Sequence, residues 1–130
     1  MAKRKFHWLD RRVSQLGPYL TLVLSQDELN EALKGLTQEY VHFPVSGAEC
    51  TTLTKDVTHE LCAVISLSER AQQNNNSIEI AGLLVHEAVH VWQRYAEHLG
   101  ERRPGDEQEA YAIQGISQEL MMEYTRRLNG

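Results

Sequence analysis

The chain has 130 residues, 42% of them hydrophobic and 24% charged, with a formal net charge of −5 at pH 7. This length predicts one domain, residues 1–130, with a single core, and the acidic balance argues against nucleic acid as the main partner. The apolar run at residues 19–24 is too short for a signal peptide or a membrane span, so we expect a cytoplasmic protein without a membrane partner.

Two cysteines, Cys50 and Cys62, occur without any secretory context. Disulfides persist in oxidising compartments and are rare in the cytosol. We therefore expect both side chains to be free thiols, and their spacing does not predict a zinc finger.

Three segments have the composition of strands. Residues 19–24 are apolar, and residues 40–45 alternate well enough for a short strand, although Pro44 confines that strand to an edge or an end. Residues 46–48 read as a loop. Residues 60–67 are rich in Leu, Cys, Val and Ile and predict the best strand of the chain.

The sequence predicts three helices, at about residues 25–35, 77–99 and 106–128. Asn76 or Ser77 caps the second helix, with Glu79 as a capping-box partner, and Gly100 ends it. The order of strands and helices predicts an α+β domain. In it a small mixed or antiparallel sheet packs on the second helix, and the last two helices pack together.

The segment His86-Glu87-Ala88-Val89-His90 lies inside the second predicted helix. Residues i and i+4 of a helix lie one above the other, so both imidazoles can bind one metal ion. This is the HExxH pattern of zinc metallohydrolases, in which the Glu is the general base. The two histidines lie roughly opposite an apolar stripe made of Leu83, Leu84, Ala88, Val91, Trp92 and Tyr95.

Two other observations bear on this pattern. Gln93 and Glu97 share the face of the histidines, either as hydrogen-bond partners of the ligands or as a solvated helix flank. The segment His59-Glu60-Leu61-Cys62-Ala63 starts in the same way but has Ala in place of the second His. We therefore expect no metal site there and interpret the segment as part of a strand.

The run His-Glu-Ala-Val-His-Val-Trp-Gln and the later Glu-Ala-Tyr-Ala-Ile-Gln resemble small phage and prophage proteins described as metallopeptidases. A Glu followed three residues later by Ala, in the helix after HExxH, is also similar to the third-ligand motif of the gluzincin metallopeptidases. The resemblance covers mainly the C-terminal half of the chain. It implies a minimal zincin-like domain, Zn²⁺ as cofactor, a peptide or protein substrate and, for a phage protein, the host cytoplasm.

The resemblance also suggests further site residues. In this family the last strand before the metal helix borders the cleft and can pair with an extended peptide, which would assign that role to residues 60–67. Catalytic zinc usually has three protein ligands. Glu107, with Ala110 and Tyr111 on its face, is the favoured third ligand. Glu109 is the alternative, unless Asp106 caps the helix and Glu109 fills its capping box.

These features predict a zinc metallopeptidase with His86, His90 and Glu107 as ligands and Glu87 as the base that activates a metal-bound water. Tyr111 is a candidate to stabilise the oxyanion, although packing explains it equally well. One alternative is a zinc-binding interaction module without turnover, such as a phage protein that binds a host factor. Another is a metal-free helical interaction protein. Metal analysis separates these classes.

Overall fold

The computed structural model describes residues 5–9, 18–55, 59–100 and 105–129. Within these ranges the chain forms three strands and four helices. In chain order they are β1 (Tyr19–Val23), α1 (Gln26–Leu33), β2 (Ala48–Thr54), β3 (Leu61–Leu67), α2 (Glu69–Asn74), α3 (Ser77–His98) and α4 (Asp106–Leu128). The predicted α+β class is confirmed.

The three strands form one mixed sheet in the order β1-β3-β2, with β1 parallel and β2 antiparallel to β3. All seven residues of β3 are buried, as its apolar composition requires. The prediction that this strand borders the cleft and pairs with a peptide is wrong, because β3 is hydrogen-bonded to a neighbour on each side. Among the described residues, the outer edge of β2 is free of strand pairing, and β2 contacts α3 more extensively than β3 does.

The strand predicted at residues 40–45 is absent. The side-chain amide of Gln26 takes the place of a neighbouring strand here, because it accepts a hydrogen bond from the Phe43 amide and donates one to the Val41 carbonyl. The chain stays extended without joining the sheet. The next strand, β2, begins at Ala48, where the sequence predicted a loop, and α2 was not predicted.

The core has two parts, one on each face of the sheet. The larger part lies between the sheet, α3 and α4, and the smaller part lies under α1. The predicted apolar stripe of α3 is buried except for the half-buried Leu83, and Trp92 is only 5% exposed. Both cysteines are free thiols, as predicted. Among the described residues, no helix is long and apolar enough to cross a membrane.

The helix ends agree with those predicted from the sequence, except at the start of α4. Asn76 and Glu79 form the predicted capping box at the start of α3, and Gly100 follows the helix at a φ of +76°. At α4 the N-cap is Gly105, and Asp106 is the first helical residue. Glu109 is therefore one position beyond the place that a capping-box partner would occupy, and that structural role for it is wrong.

Candidate metal centre

The two histidines of the HExxH pattern converge on one point outside α3. Their Nε2 atoms lie 3.2 Å apart, and the ring planes are inclined at 77°. Two nitrogens bound to one tetrahedral zinc ion at about 2.0–2.1 Å are about 3.3–3.4 Å apart. Without metal, the same distance allows one imidazole to donate a hydrogen bond to the other. The donor atoms of His86 and His90 are thus spaced as a tetrahedral site requires.

Gln93 orients the second imidazole. Its Oε1 lies 3.1 Å from Nδ1 of His90, so Nδ1–H can donate to this oxygen. In the tautomer that makes this hydrogen bond, the proton is on Nδ1 and the lone pair is on Nε2, as a metal ligand needs. Glu97, the other residue considered for this role, instead accepts a hydrogen bond from Arg94 at 3.2 Å.

Glu87 is buried between the sheet and the histidines, with 4% of its surface exposed. Burial raises the pKa of its carboxyl group above the ordinary value. Electrostatic interactions with His90 and His86 oppose this shift, and the negative charge of Glu49 adds to it. A buried carboxylate with a raised pKa beside two histidines has the character of a general base.

A cleft of about 490 Å³ runs between the polar face of α3 and β2. Its lining residues on β2 are Ala48, Glu49, Cys50 and Thr52, and those on α3 are His86, Glu87, His90 and Arg94. A second cavity, of about 580 Å³, adjoins His86 and Glu87 towards the start of α3 and is also lined by Glu79, Gly82 and Leu83. Open space therefore flanks the histidine pair in both directions along the helix.

The structure does not bring the predicted third ligands to the histidine pair. Among the described residues, no third His, Cys, Asp or Glu joins the pair in a group that could hold a metal. Glu107 is exposed at the start of α4, and Glu109 accepts a hydrogen bond of 3.0 Å from the indole of Trp92. Tyr111 is 69% exposed and does not line the cleft.

Sequence reasoning missed Glu49, Cys50 and Arg94. Burial and the charge of Glu87 raise the pKa of the Cys50 thiol to about 12, and Arg94 opposes this shift. The positions of Glu49 and Cys50 could not be found from the sequence because β2 has no apolar alternation. For Arg94 a signal existed, since it follows His90 by four residues and so belongs to the same helix face.

Comparisons of this chain with models of protein families, with curated proteins and with solved structures found no match. Function must therefore be argued from the site itself.

Proposed function

We propose that this protein is a zinc-dependent hydrolase of peptide bonds. The observation that carries the proposal is the 3.2 Å separation of the Nε2 atoms of His86 and His90, with the buried Glu87 between them in the sequence and facing the same cleft. Two imidazoles in this arrangement suit Zn²⁺, which binds neutral His nitrogen at about 2.0–2.1 Å. When bound, zinc supplies Lewis-acid polarisation of a carbonyl and lowers the pKa of water.

Residues of this chain would transfer the proton and orient the metal ligands. Glu87 accepts a proton from the attacking water at its carboxylate and returns it to the leaving amine, a task for which its raised pKa is suited. Gln93 holds His90 in the ligating tautomer. Burial of Glu87 limits its exposure to bulk water, which strengthens its interaction with nearby charges.

The free edge of β2 supports a peptide as the substrate. An edge strand presents unpaired amide and carbonyl groups, and an extended peptide can pair with them. This edge strand borders the cleft that holds the histidine pair, so a peptide paired there passes close to Glu87. The family resemblance in the C-terminal half implies the same substrate class.

A second candidate is a zinc-binding interaction module without turnover. It is favoured by the exposed Tyr111 and because, within the described ranges, no third His, Cys, Asp or Glu joins the histidine pair in a group that could hold a metal. Such a module would bind metal through His86 and His90, and a protein partner through the same cleft. It would not depend on the carboxylate of Glu87 for its function.

Glu87→Gln separates the two candidates, because the amide cannot act as a base and both His ligands remain. The zinc-loaded protein should cleave a mixture of unstructured peptides, as followed by mass spectrometry. The variant should bind zinc as the wild type does and show no cleavage. Glu31→Gln, which changes an exposed Glu of α1, is the matched control and should cleave normally. Cleavage that survives Glu87→Gln would contradict the proposed role.

A further inference from the structure

The cleft next to the histidine pair has an uneven distribution of charge along its length. At the end towards the start of α3, the lining includes the carboxylate of Glu79. At the other end, where β2 contributes Thr52, the lining includes the guanidinium of Arg94. Within the described part of the chain, no other Arg or Lys lines either cavity. A ligand that fills the cleft therefore meets a permanent positive charge at one end.

Arg94 is available to a ligand. Its side chain is 47% exposed, and the ion pair that it forms within the described part of the chain is to the exposed Glu97, three residues further along the same helix. Exposed pairs of this kind contribute little to stability, so a ligand carboxylate can replace Glu97 at small cost. The guanidinium also has donors to spare, because it presents a planar fork that can hold a carboxylate through two hydrogen bonds.

We propose that Arg94 selects substrates that carry a carboxylate a few residues from the scissile bond. This inference rests on the proposed function for the identity of the site. Arg94 is four residues beyond His90, or about 6 Å along the helix axis. An extended peptide advances about 3.3 Å per residue. The carboxylate would therefore sit about two residues from the bond that is cleaved.

Glu49 and Glu87 line the same cleft as Arg94. In the protein without bound metal, a substrate carboxylate beside the two glutamates meets like charges, whereas a carboxylate beside Arg94 meets an opposite charge. The cleft lining thus favours the position next to Arg94 for an acidic group.

Two kinds of carboxylate fit this chemistry, the side chain of Asp or Glu and the free C-terminus of a peptide. Fluorescently labelled hexapeptides distinguish them. One series has an amidated C-terminus and a single Glu moved along a neutral sequence, with Gln at the same position as the matched control. The other compares the neutral sequence with a free and with an amidated C-terminus.

Binding is measured by fluorescence anisotropy to the Glu87→Gln protein, with and without added Zn²⁺, so that no turnover is needed. We expect a carboxylate at the favoured position to tighten binding about tenfold over its neutral match. Arg94→Gln should abolish this difference. Arg70→Gln, which changes an exposed Arg of α2 outside the cleft, should preserve the difference in affinity between the acidic and the neutral peptide.

The outcomes separate this inference from the proposed function. A tenfold preference in either series that requires Arg94 supports it and identifies the source of the carboxylate, even where no zinc binds and the hydrolase proposal fails. Equal affinity for acidic and neutral peptides, a preference that survives Arg94→Gln, or no binding of any peptide would overturn it. If zinc-dependent cleavage occurs without any acidic preference, the hydrolase proposal stands and this inference fails.

Discussion

Glu87 and Glu123 are both buried, with 4% and 2% of their surfaces exposed, but their surroundings differ. Glu123 accepts a short hydrogen bond from Arg126, and its other oxygen lies 3.5 Å from Nε2 of His7. Glu87 receives no hydrogen bond to its carboxylate from any residue that the structure describes. Instead it faces a cleft, and burial raises its pKa.

The different surroundings of Glu87 and Glu123 indicate two roles for a buried carboxylate in this protein. His7 lies against Glu123 and so connects the N-terminal segment to α4, and nearby Arg127 links α4 to Glu28 of α1. These contacts join one element to another, whereas the pair of Arg126 with Glu123 lies within α4 itself. At Glu87 the chain buries a carboxylate to which no described residue donates a hydrogen bond, which is characteristic of a functional site.

The largest effect is expected from Arg126→Met. It leaves the carboxylate of Glu123 buried without its closest cation, and breaking a buried pair in this way costs roughly 3 to 5 kcal/mol. Chemical denaturation measures the loss in the free energy of unfolding. Arg70→Met, on the exposed surface of α2, should change it by less than about 0.5 kcal/mol. A loss under about 1 kcal/mol in Arg126→Met would show that this pair within α4 contributes little to stability.

The second-largest effect is expected on zinc affinity, from substitution of the third metal ligand. If Glu107 ligates zinc, Glu107→Gln should weaken zinc binding strongly, because a neutral amide is a poorer ligand than a carboxylate. Glu109→Gln should keep the affinity, since Gln can still accept the hydrogen bond from Trp92. Glu49→Gln is the necessary third variant, because Glu49 lines the cleft. Equal affinity in Glu107→Gln and Glu109→Gln, measured by competition with a chromogenic chelator, would contradict the gluzincin assignment, and a loss in Glu49→Gln would then identify Glu49 as the ligand.

A smaller effect on zinc affinity is expected from Gln93→Ala. Removal of a hydrogen-bond partner from a metal-ligating His typically weakens metal binding about 10- to 100-fold. Glu97→Gln is the matched control on the same helix face, since Glu97 contacts Arg94 and neither histidine. The same chelator competition measures both. If Gln93→Ala binds zinc as tightly as the control does, the hydrogen bond to His90 has no role in the site.

Helix α3, which carries the histidine pair, was predictable because its signals are local. The capping box of Asn76 and Glu79, the apolar stripe and the spacing of the two histidines all follow from residues within 22 positions of one another. The burial of Glu87 depends on tertiary packing, which local sequence does not show. Glu87 is next to the exposed His86 in the helix, and the packing of α3 on the sheet buries its side chain.

The sheet was harder to predict, because its edge strand is polar. Residues 48–54 read Ala-Glu-Cys-Thr-Thr-Leu-Thr, and β2 is nowhere fully buried, so no alternation of apolar and polar residues marks it. The strand predicted at residues 40–45 does not form, because this segment bonds to the side chain of Gln26. Gln26 is distant in sequence, so no local pattern shows this contact. The apolar composition of residues 60–67 predicts a strand, whereas nothing local marks β2 as the second wall of the cleft.

Zinc stoichiometry is the most direct test of the central claim that His86 and His90 form a metal site. The protein, purified without chelator and supplied with zinc, should contain about one Zn²⁺ ion per chain by elemental analysis. His86→Ala and His90→Ala should each lose the metal while keeping the fold, as circular dichroism can check, since neither imidazole belongs to the buried core. A metal content near zero in the folded wild-type protein would contradict the account.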